Sequence, residues 1–110
     1  MGRFIKGDVV VLPFPFSNLS GSKKRPALVV AQLSGDDVIL CMITKTDRGD
    51  GYSIPLNRRD FDNGAIPHDS NIRPNRLFTA DSNIIDYCAG RLSPKKVHEV
   101  TTRIIEILSN

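Results

Sequence analysis

The apolar residues of this chain fall into short, β-branched runs that turn-forming residues separate at nearly regular spacing. Such a pattern is typical of small all-β barrels and sandwiches. The first run does not alternate between apolar and polar residues, which predicts burial on both faces of its strand. Pro13 and Pro15 are expected to end that strand, because proline cannot donate to a ladder. The polar stretch 57–69 predicts an irregular surface segment. The pattern predicts five strands, over residues 8–12, 25–31, 38–44, 52–56 and 72–81.

A helix is predicted at the end of the chain. Ser93 is a favourable N-cap, and Pro94 suits the first helical position. One terminal helix on a strand-rich body predicts a mainly β fold, a small barrel with an appended helix, in a single domain over residues 1–110. The apolar residues that recur at helical spacing, and that can lie across the strands, are Val97, Val100, Ile104, Ile107 and Leu108.

Length and charge limit the classes of protein. A chain of 110 residues can build one sizeable core but not two. No stretch approaches the roughly 20 apolar residues of a membrane span, and the start lacks a signal-peptide core, so a cytoplasmic protein with no membrane partner is expected. The net charge of +3 permits a nucleic-acid partner without requiring one. The chain has nine Arg and six Lys. This excess of arginine mildly favours phosphate contact, because a guanidinium can donate two parallel hydrogen bonds to phosphate oxygens.

Metal and redox chemistry find little support. Cys41 and Cys88 stand far apart with no C-x-x-C spacing, so both are expected to be buried packing residues, and no metal or other cofactor is expected. His68 and His98 have no partner nearby in the sequence and are expected to be solvated surface groups. Turn formation and solvation explain the neighbouring carboxylates more simply than a metal site does: Asp36, Asp37, Asp60 and Asp62.

The hairpin between the second and third predicted strands brings chemistry-bearing residues together. A two-residue loop at Ser34-Gly35 places Arg25 opposite Thr44, whereas a loop at Gly35-Asp36 places Arg25 opposite Thr46. Residues two apart share a strand face, so a guanidinium stands beside a hydroxyl at the open end in either register. Three lysines lie close by in sequence: Lys23, Lys24 and Lys45.

An Arg beside a Thr can recognise a phosphodiester and stabilise charge that develops on it, since both groups donate hydrogen bonds to oxygen. The same pair can also be ordinary decoration of an exposed strand end. The long connection over residues 14–24 is a second candidate for a working part. Phe14 and Phe16 flank Pro15 there, and they either stack on bases or pin the connection onto the core.

Several stretches together resemble the MazF/PemK family of toxin endoribonucleases. The two most specific are KGDVVVLPFPF at residues 6–16 and SGSKKRPALVV at residues 20–30, in that order. Ile43-Thr44-Lys45-Thr46, residues 73–81 and Gly90-Arg91-Leu92-Ser93 are further landmarks, so the resemblance spans the chain. Two departures from the common pattern resemble a PemK-like branch and leave the RNA sequence preference open: Ser22-Lys23-Lys24 where many members have Glu-Gln, and Arg76-Leu77-Phe78-Thr79 where many have Gln-Ile-Arg-Thr.

The resemblance implies an SH3-like β-barrel with a C-terminal helix, assembled as a homodimer whose groove takes single-stranded RNA. It implies metal-independent transesterification, with Arg25 and Thr44 as the catalytic residues. Since Arg holds its proton very tightly, we expect Arg25 to stabilise charge, and the proton carrier is left open. A cognate antitoxin protein with an acidic tail is also implied. The residues expected to contact RNA are Lys23, Lys24, Lys45, Thr46, Phe16, Asn75 and Arg76.

Two alternatives stay open at this point. One is a non-catalytic SH3-like toxin or binding module that grips a protein target such as gyrase through its terminal helix. The other is an RNA binder that has lost activity, which would bind RNA in a salt-dependent manner without cleaving it.

Overall fold

The computed structural model describes residues 4–14, 23–47 and 49–110. Each strand pairs with its neighbours in antiparallel fashion, in the order β4-β6-β3-β2-β1-β7-β5. No helix in this part of the chain is long and apolar enough to cross a membrane. The elements are β1 (Asp8–Phe14), β2 (Lys23–Gln32), β3 (Asp37–Thr44), β4 (Ile54–Leu56), β5 (Phe61–Gly64), β6 (Ser70–Asp81), β7 (Tyr87–Leu92) and α1 (Pro94–Leu108), with single 3₁₀ turns at Arg58–Asp60 and Ser82–Ile84.

The sheet curls into a half-barrel. The short connection between its two edge strands requires this curvature. The edge strands β4 and β5 are joined only by residues 57–60. Five Cα steps span at most about 18 Å, whereas the edges of a flat seven-stranded sheet would lie about 29 Å apart. The two edges are therefore drawn together, and the predicted mainly β fold with a terminal helix is confirmed.

The central strands are buried on both faces. Val9 and Val10 are both fully buried although they point to opposite sides of β1, as the unbroken apolar run predicts. Val9 joins one apolar cluster with Leu28 and Cys41, and Val10 joins a second cluster with Val29. The terminal helix packs on the first cluster, and Phe4 and Ile85, which lie outside the strands, pack on the second.

The terminal helix covers the first cluster. The Ser93 hydroxyl accepts a hydrogen bond from the Lys96 N–H at 3.2 Å, so the predicted N-cap is confirmed. Val97, Val100 and Ile104 pack against the sheet, and Val100 is fully buried. Leu108, expected on the same stripe, is 72% exposed. The apolar contact thus ends before the last turn of the helix.

The hairpin loop differs from both expected forms. Leu33 N–H donates to Asp37 O at 3.0 Å, which leaves three residues in the loop, with Gly35 at φ +73°. A bulge at Val30 then shifts the register by one residue, so that Ala27 pairs with Met42. The open end accordingly has the register of the first expectation, although the two-residue loop that motivated it was wrong.

Two strands escaped prediction, and several boundaries moved. β1 continues through Pro13, which pairs with Lys24, so the long connection shortens to residues 15–22, which lie outside the described residues. Residues 57–69 are not irregular throughout, because they contain β5. β5 and β7 have no alternating apolar pattern and form through pairing with each other and with β1. Cys88, expected to be buried, is exposed on β7.

Candidate active site

Arg25 and Thr44 lie at the open end of the hairpin and line the same cleft. Ala27 pairs with Met42, and continuing that register by two residues on each strand places Arg25 opposite Thr44. Opposite residues of an antiparallel pair point to the same face of the sheet. On its other side Arg25 pairs with Leu12 of β1, so the guanidinium is carried by an interior strand with neighbours on both sides. Both residues are half-buried.

Arg25 and Thr44 line a cleft of about 510 Å³. One wall is the hairpin end, and the other is the segment over residues 66–70, which we call the crossing segment. Ala65 N–H donates to Ala89 O on β7, whereas Ser70 begins β6 and pairs with Leu56. The crossing segment therefore runs from one side of the curled sheet to the other. The cleft is lined by Lys23, Lys24, Arg25, Pro26, Ile43, Thr44, Lys45, Thr46, Ile66, Pro67, His68 and Ser70.

The cleft is basic. Four of its described lining residues are Lys or Arg, and none is Asp or Glu. Lys24 forms an ion pair with Asp86 outside the cleft, and the hydrogen bond that Lys24 donates to Asp86 raises the pKa of Lys24. The sequence-predicted cluster is thus brought together, with Lys24 already bound to a carboxylate of the same chain.

The hydroxyl of Thr44 has a defined orientation. Its Oγ1 donates to Thr46 O at 2.9 Å, and Asn71 Nδ2 donates to Lys45 O at 3.3 Å, which ties this stretch to β6. A hydroxyl has one hydrogen and two lone pairs. With its hydrogen engaged, Thr44 presents its lone pairs as acceptors for a hydroxyl donor.

An ion pair between the buried Arg73 and the exposed Asp50 anchors the loop that follows Thr44. Arg73 is only 4% exposed, and its Nη2 lies 2.5 Å from Asp50 Oδ2. Asp50 Oδ1 also accepts from Tyr52 N–H at 3.1 Å. The hydrogen bond from Tyr52 and the charge of Arg73 lower the pKa of Asp50, against the opposing effect of desolvation. Arg73 therefore positions the loop that carries Lys45 and Thr46.

This anchor predicts a pH dependence of stability. Because the folded-state pKa of Asp50 is lowered, its contribution to the free energy of unfolding is complete above about pH 4, the ordinary pKa of Asp, and is lost as the pH falls through the folded-state value. Urea unfolding midpoints measured from neutral pH downward are expected to fall more steeply in the wild type than in Asp50→Asn. Parallel curves for the two proteins would contradict this role.

Some predicted residues lie elsewhere. Phe16 falls outside the described residues. Asn75 and Arg76 are exposed in a bulge of β6, because Met42 pairs with Arg73 and Cys41 with Leu77, which leaves three β6 residues without a β3 partner. Neither Asn75 nor Arg76 lines the cleft of Arg25 within this chain.

The crossing segment contributes residues that sequence reasoning missed. His68 is exposed, as expected, but it also lines the cleft of Arg25 and Thr44. Ile66 and Pro67 line both this cleft and an adjoining one of about 400 Å³, beside which Tyr87 is 56% exposed. No local motif marks these positions. They come near Arg25 only because the sheet curls.

The aspartates and cysteines found in the structure serve the fold. Asp60 Oδ2 accepts from Asn57 N–H at 2.9 Å and caps the 3₁₀ turn. Burial raises the pKa of the Cys41 thiol to about 12. Over residues 4–14, 23–47 and 49–110 no group of three or more His, Cys, Asp or Glu side chains is placed to hold a metal ion.

The fold is that of solved toxin structures. An endoribonuclease in complex with its cognate antitoxin, from mycobacterial species, matches with a TM-score of 0.77 at 15% identity, over 97% of this chain and 96% of that chain. MazE–MazF from Deinococcus radiodurans matches with a TM-score of 0.77 at 16% identity, over 96% of each chain. The Mycobacterium tuberculosis toxin MazF-mt6 gives 0.70 at 15% identity, over 93% of this chain and 96% of that chain.

No curated protein sequence matches the chain. At identities this low the structural matches establish the fold alone. Sequence carries the family assignment, because residues 5–108 match the family described as PemK-like, MazF-like toxin of type II toxin-antitoxin system. Since the match covers nearly the whole chain, this protein belongs to the PemK-like, MazF-like toxins of type II toxin–antitoxin systems.

Proposed function

We propose that the protein is a sequence-selective, metal-independent endoribonuclease that cleaves single-stranded RNA. The observation that carries the proposal is the placement of Arg25 opposite Thr44 in a basic cleft whose described lining contains no carboxylate. Such a cleft suits an anionic phosphodiester and offers no acidic ligand set for a divalent cation. The family assignment and the names of the structural relatives, which are endoribonucleases, support the same activity.

The reaction is an internal transesterification. The ribose 2′-oxygen attacks the adjacent phosphorus, a P–O2′ bond forms, and the P–O5′ bond breaks, which leaves a 2′,3′-cyclic phosphate and a 5′-hydroxyl. Arg25 donates hydrogen bonds to the non-bridging oxygens, where negative charge develops. Thr44, whose hydrogen is held by Thr46 O, accepts from the 2′-hydroxyl and orients it.

Neighbouring groups bind the rest of the strand. Lys23 and Lys45 contribute positive charge next to Arg25, and Thr46 adds a hydroxyl. The charge of Lys24 is only partly available to RNA, because Asp86 competes with the phosphate for the Lys24 ammonium group. RNA binding of this kind weakens as the salt concentration rises. Each phosphate contact releases a cation from the RNA, and a higher salt concentration makes that release less favourable.

The assembly we infer is a cytoplasmic homodimer held inactive by a cognate antitoxin protein. A second copy would add further walls to the cleft and bring Asn75, Arg76 and Phe16 into play. Relatives solved as toxin–antitoxin complexes support the antitoxin partner. An acidic antitoxin tail matches the charge of Lys23, Lys45 and Arg25.

Incubation of the purified protein with a long single-stranded RNA in excess chelator tests the activity. We expect discrete fragments whose 5′-hydroxyl ends accept phosphate from polynucleotide kinase without prior dephosphorylation. Duplex RNA of the same sequence is the control and should resist cleavage. Cleavage that needs added Mg²⁺, or salt-dependent binding with no product, would contradict the proposal. Growth arrest that depends on Arg103 of α1 but not on Arg25 would instead indicate a protein target.

A further inference from the structure

The cleft of Arg25 needs a proton donor, and this question rests on the proposed function. The alkoxide that leaves at the 5′-oxygen is the strongest base formed in the reaction, so its departure is helped most by a proton. Arg25 keeps its proton because the pKa of guanidinium is above 12. Lysine is also a weak acid near neutral pH, with an ordinary pKa of about 10.4. The described carboxylates lie outside the cleft lining.

His68 lines the same cleft as Arg25 and Thr44. The crossing segment that bears it is held at both ends, by Ala65 N–H on Ala89 O and by the pairing of Ser70 with Leu56. Ser70 is only 8% exposed, and its hydroxyl donates to His68 O at 3.0 Å, which fixes the backbone next to the imidazole. His68 is thus carried by an anchored segment that lines the cleft of Arg25.

Histidine is the side chain that ordinarily exchanges protons near neutral pH. His68 is the one histidine in the described lining of this cleft, and His98 lies on α1 beside other clefts. The charged groups around the cleft are Lys23, Lys24 and Arg25 on β2 and Lys45 after β3, with Asp69 next along the crossing segment.

We propose that His68 is the general acid of the cleavage reaction. The 2′-hydroxyl gives its proton to solvent as the P–O2′ bond forms. The His68 imidazolium gives a proton to the 5′-oxygen as the P–O5′ bond breaks. Neutral His68 then takes a proton from solvent, so each turnover restores the enzyme and needs no other reactant. His68 is a catalytic residue in this scheme, because it touches the leaving oxygen.

A substrate with a bridging sulfur in place of the 5′-oxygen separates proton donation from any structural role. Thiolate leaves without a proton, so it relieves the need for an acid. We expect His68→Ala and His68→Gln to cleave the ordinary RNA about 100-fold or more slowly than the wild type. On the sulfur-bridged RNA both variants should come within a factor of about ten of the wild type. His98→Ala, the matched control, should cleave both substrates at the wild-type rate.

Two failures are distinguishable. If the wild type cleaves both substrates and the His68 variants are slowed equally on both, or on neither, His68 is not the acid and the proposed function still stands. If the wild type cleaves neither substrate, the proposed function itself fails. Circular dichroism and the unfolding midpoint of each variant check that the fold is retained, and Gln keeps a polar side chain of similar reach if Ala does not fold.

Discussion

Replacement of Arg25 by Ala is expected to reduce RNA cleavage by about 100- to 1,000-fold, the effect of removing one donor that stabilises transition-state charge. Arg25 stands opposite Thr44 and is the one arginine in the described lining of the cleft, so no other described residue there offers a guanidinium fork. Fold stability should change little, because Arg25 is half-buried at a strand end. Single-turnover cleavage of a labelled RNA in chelator measures the effect.

Two variants sharpen that experiment. Arg25→Lys keeps the charge but loses the planar fork, so we expect activity between those of the wild type and Arg25→Ala. Arg59→Ala removes an exposed arginine from the 3₁₀ turn, outside the lining of the cleft, and should cleave normally. Equal losses in Arg25→Ala and Arg59→Ala would mean that only net charge matters. Undiminished cleavage by Arg25→Ala would remove Arg25 from the active site.

Replacement of Gly64 by Ala is expected to have the largest effect on stability. Gly64 has φ +70°, and a Cβ there would lie 2.2 Å from Ala89 O and 2.5 Å from the Gly90 Cα. Left-handed backbone costs a residue with a side chain about 1–2 kcal/mol, and overpacking adds about 1–3 kcal/mol. We therefore expect the free energy of unfolding to fall by about 2–5 kcal/mol, measured by urea titration and by Tm.

Gly35→Ala is the matched control for Gly64→Ala. Gly35 has φ +73°, almost the same backbone, but a Cβ there would meet no atom within 4 Å beyond its own chain neighbours. Only the backbone cost should appear, about 1–2 kcal/mol. Similar losses of unfolding free energy at Gly35 and Gly64 would show that β5 and β7 move apart at little cost to make room for the added Cβ. Because Gly64 leads into the crossing segment, its variant should also cleave RNA more slowly than Gly35→Ala does.

The sequence indicated the parts of the fold whose local patterns are strong. Unbroken β-branched runs marked β1 and the central strands, since strands buried on both faces need apolar residues at every position. Ser93 followed by Pro94 marked the helix start, because an N-cap depends on neighbouring residues only. Strands with weak local patterns were not predicted. For example, β5 is four residues long and mostly polar, and it forms because it pairs with β7.

In the candidate site, too, some features could be predicted from local sequence and others depend on how the strands pair. Strand alternation predicted that Arg25 lies beside a threonine hydroxyl at the hairpin end. Whether that residue is Thr44 or Thr46 depends on a bulge at Val30, which no local sequence pattern predicts. Asn75 and Arg76 were expected at the RNA site, but a bulge in β6 carries them away from the cleft within one chain. Bulges arise from the fit between strands, so strand propensity does not predict them.

By itself the sequence determined a mainly β fold with a terminal helix, membership of the PemK/MazF toxins, and Arg25 and Thr44 as candidate residues. Those conclusions rest on residues close together in the chain, or on strands joined by one short loop. Only the tertiary structure decided that Asp50 is bound by the buried Arg73, that Lys24 is paired with Asp86, and that the crossing segment brings His68 to the cleft that Arg25 lines. Each of these depends on the curl of the sheet, which joins strands remote in sequence and has no signature in any short stretch of residues.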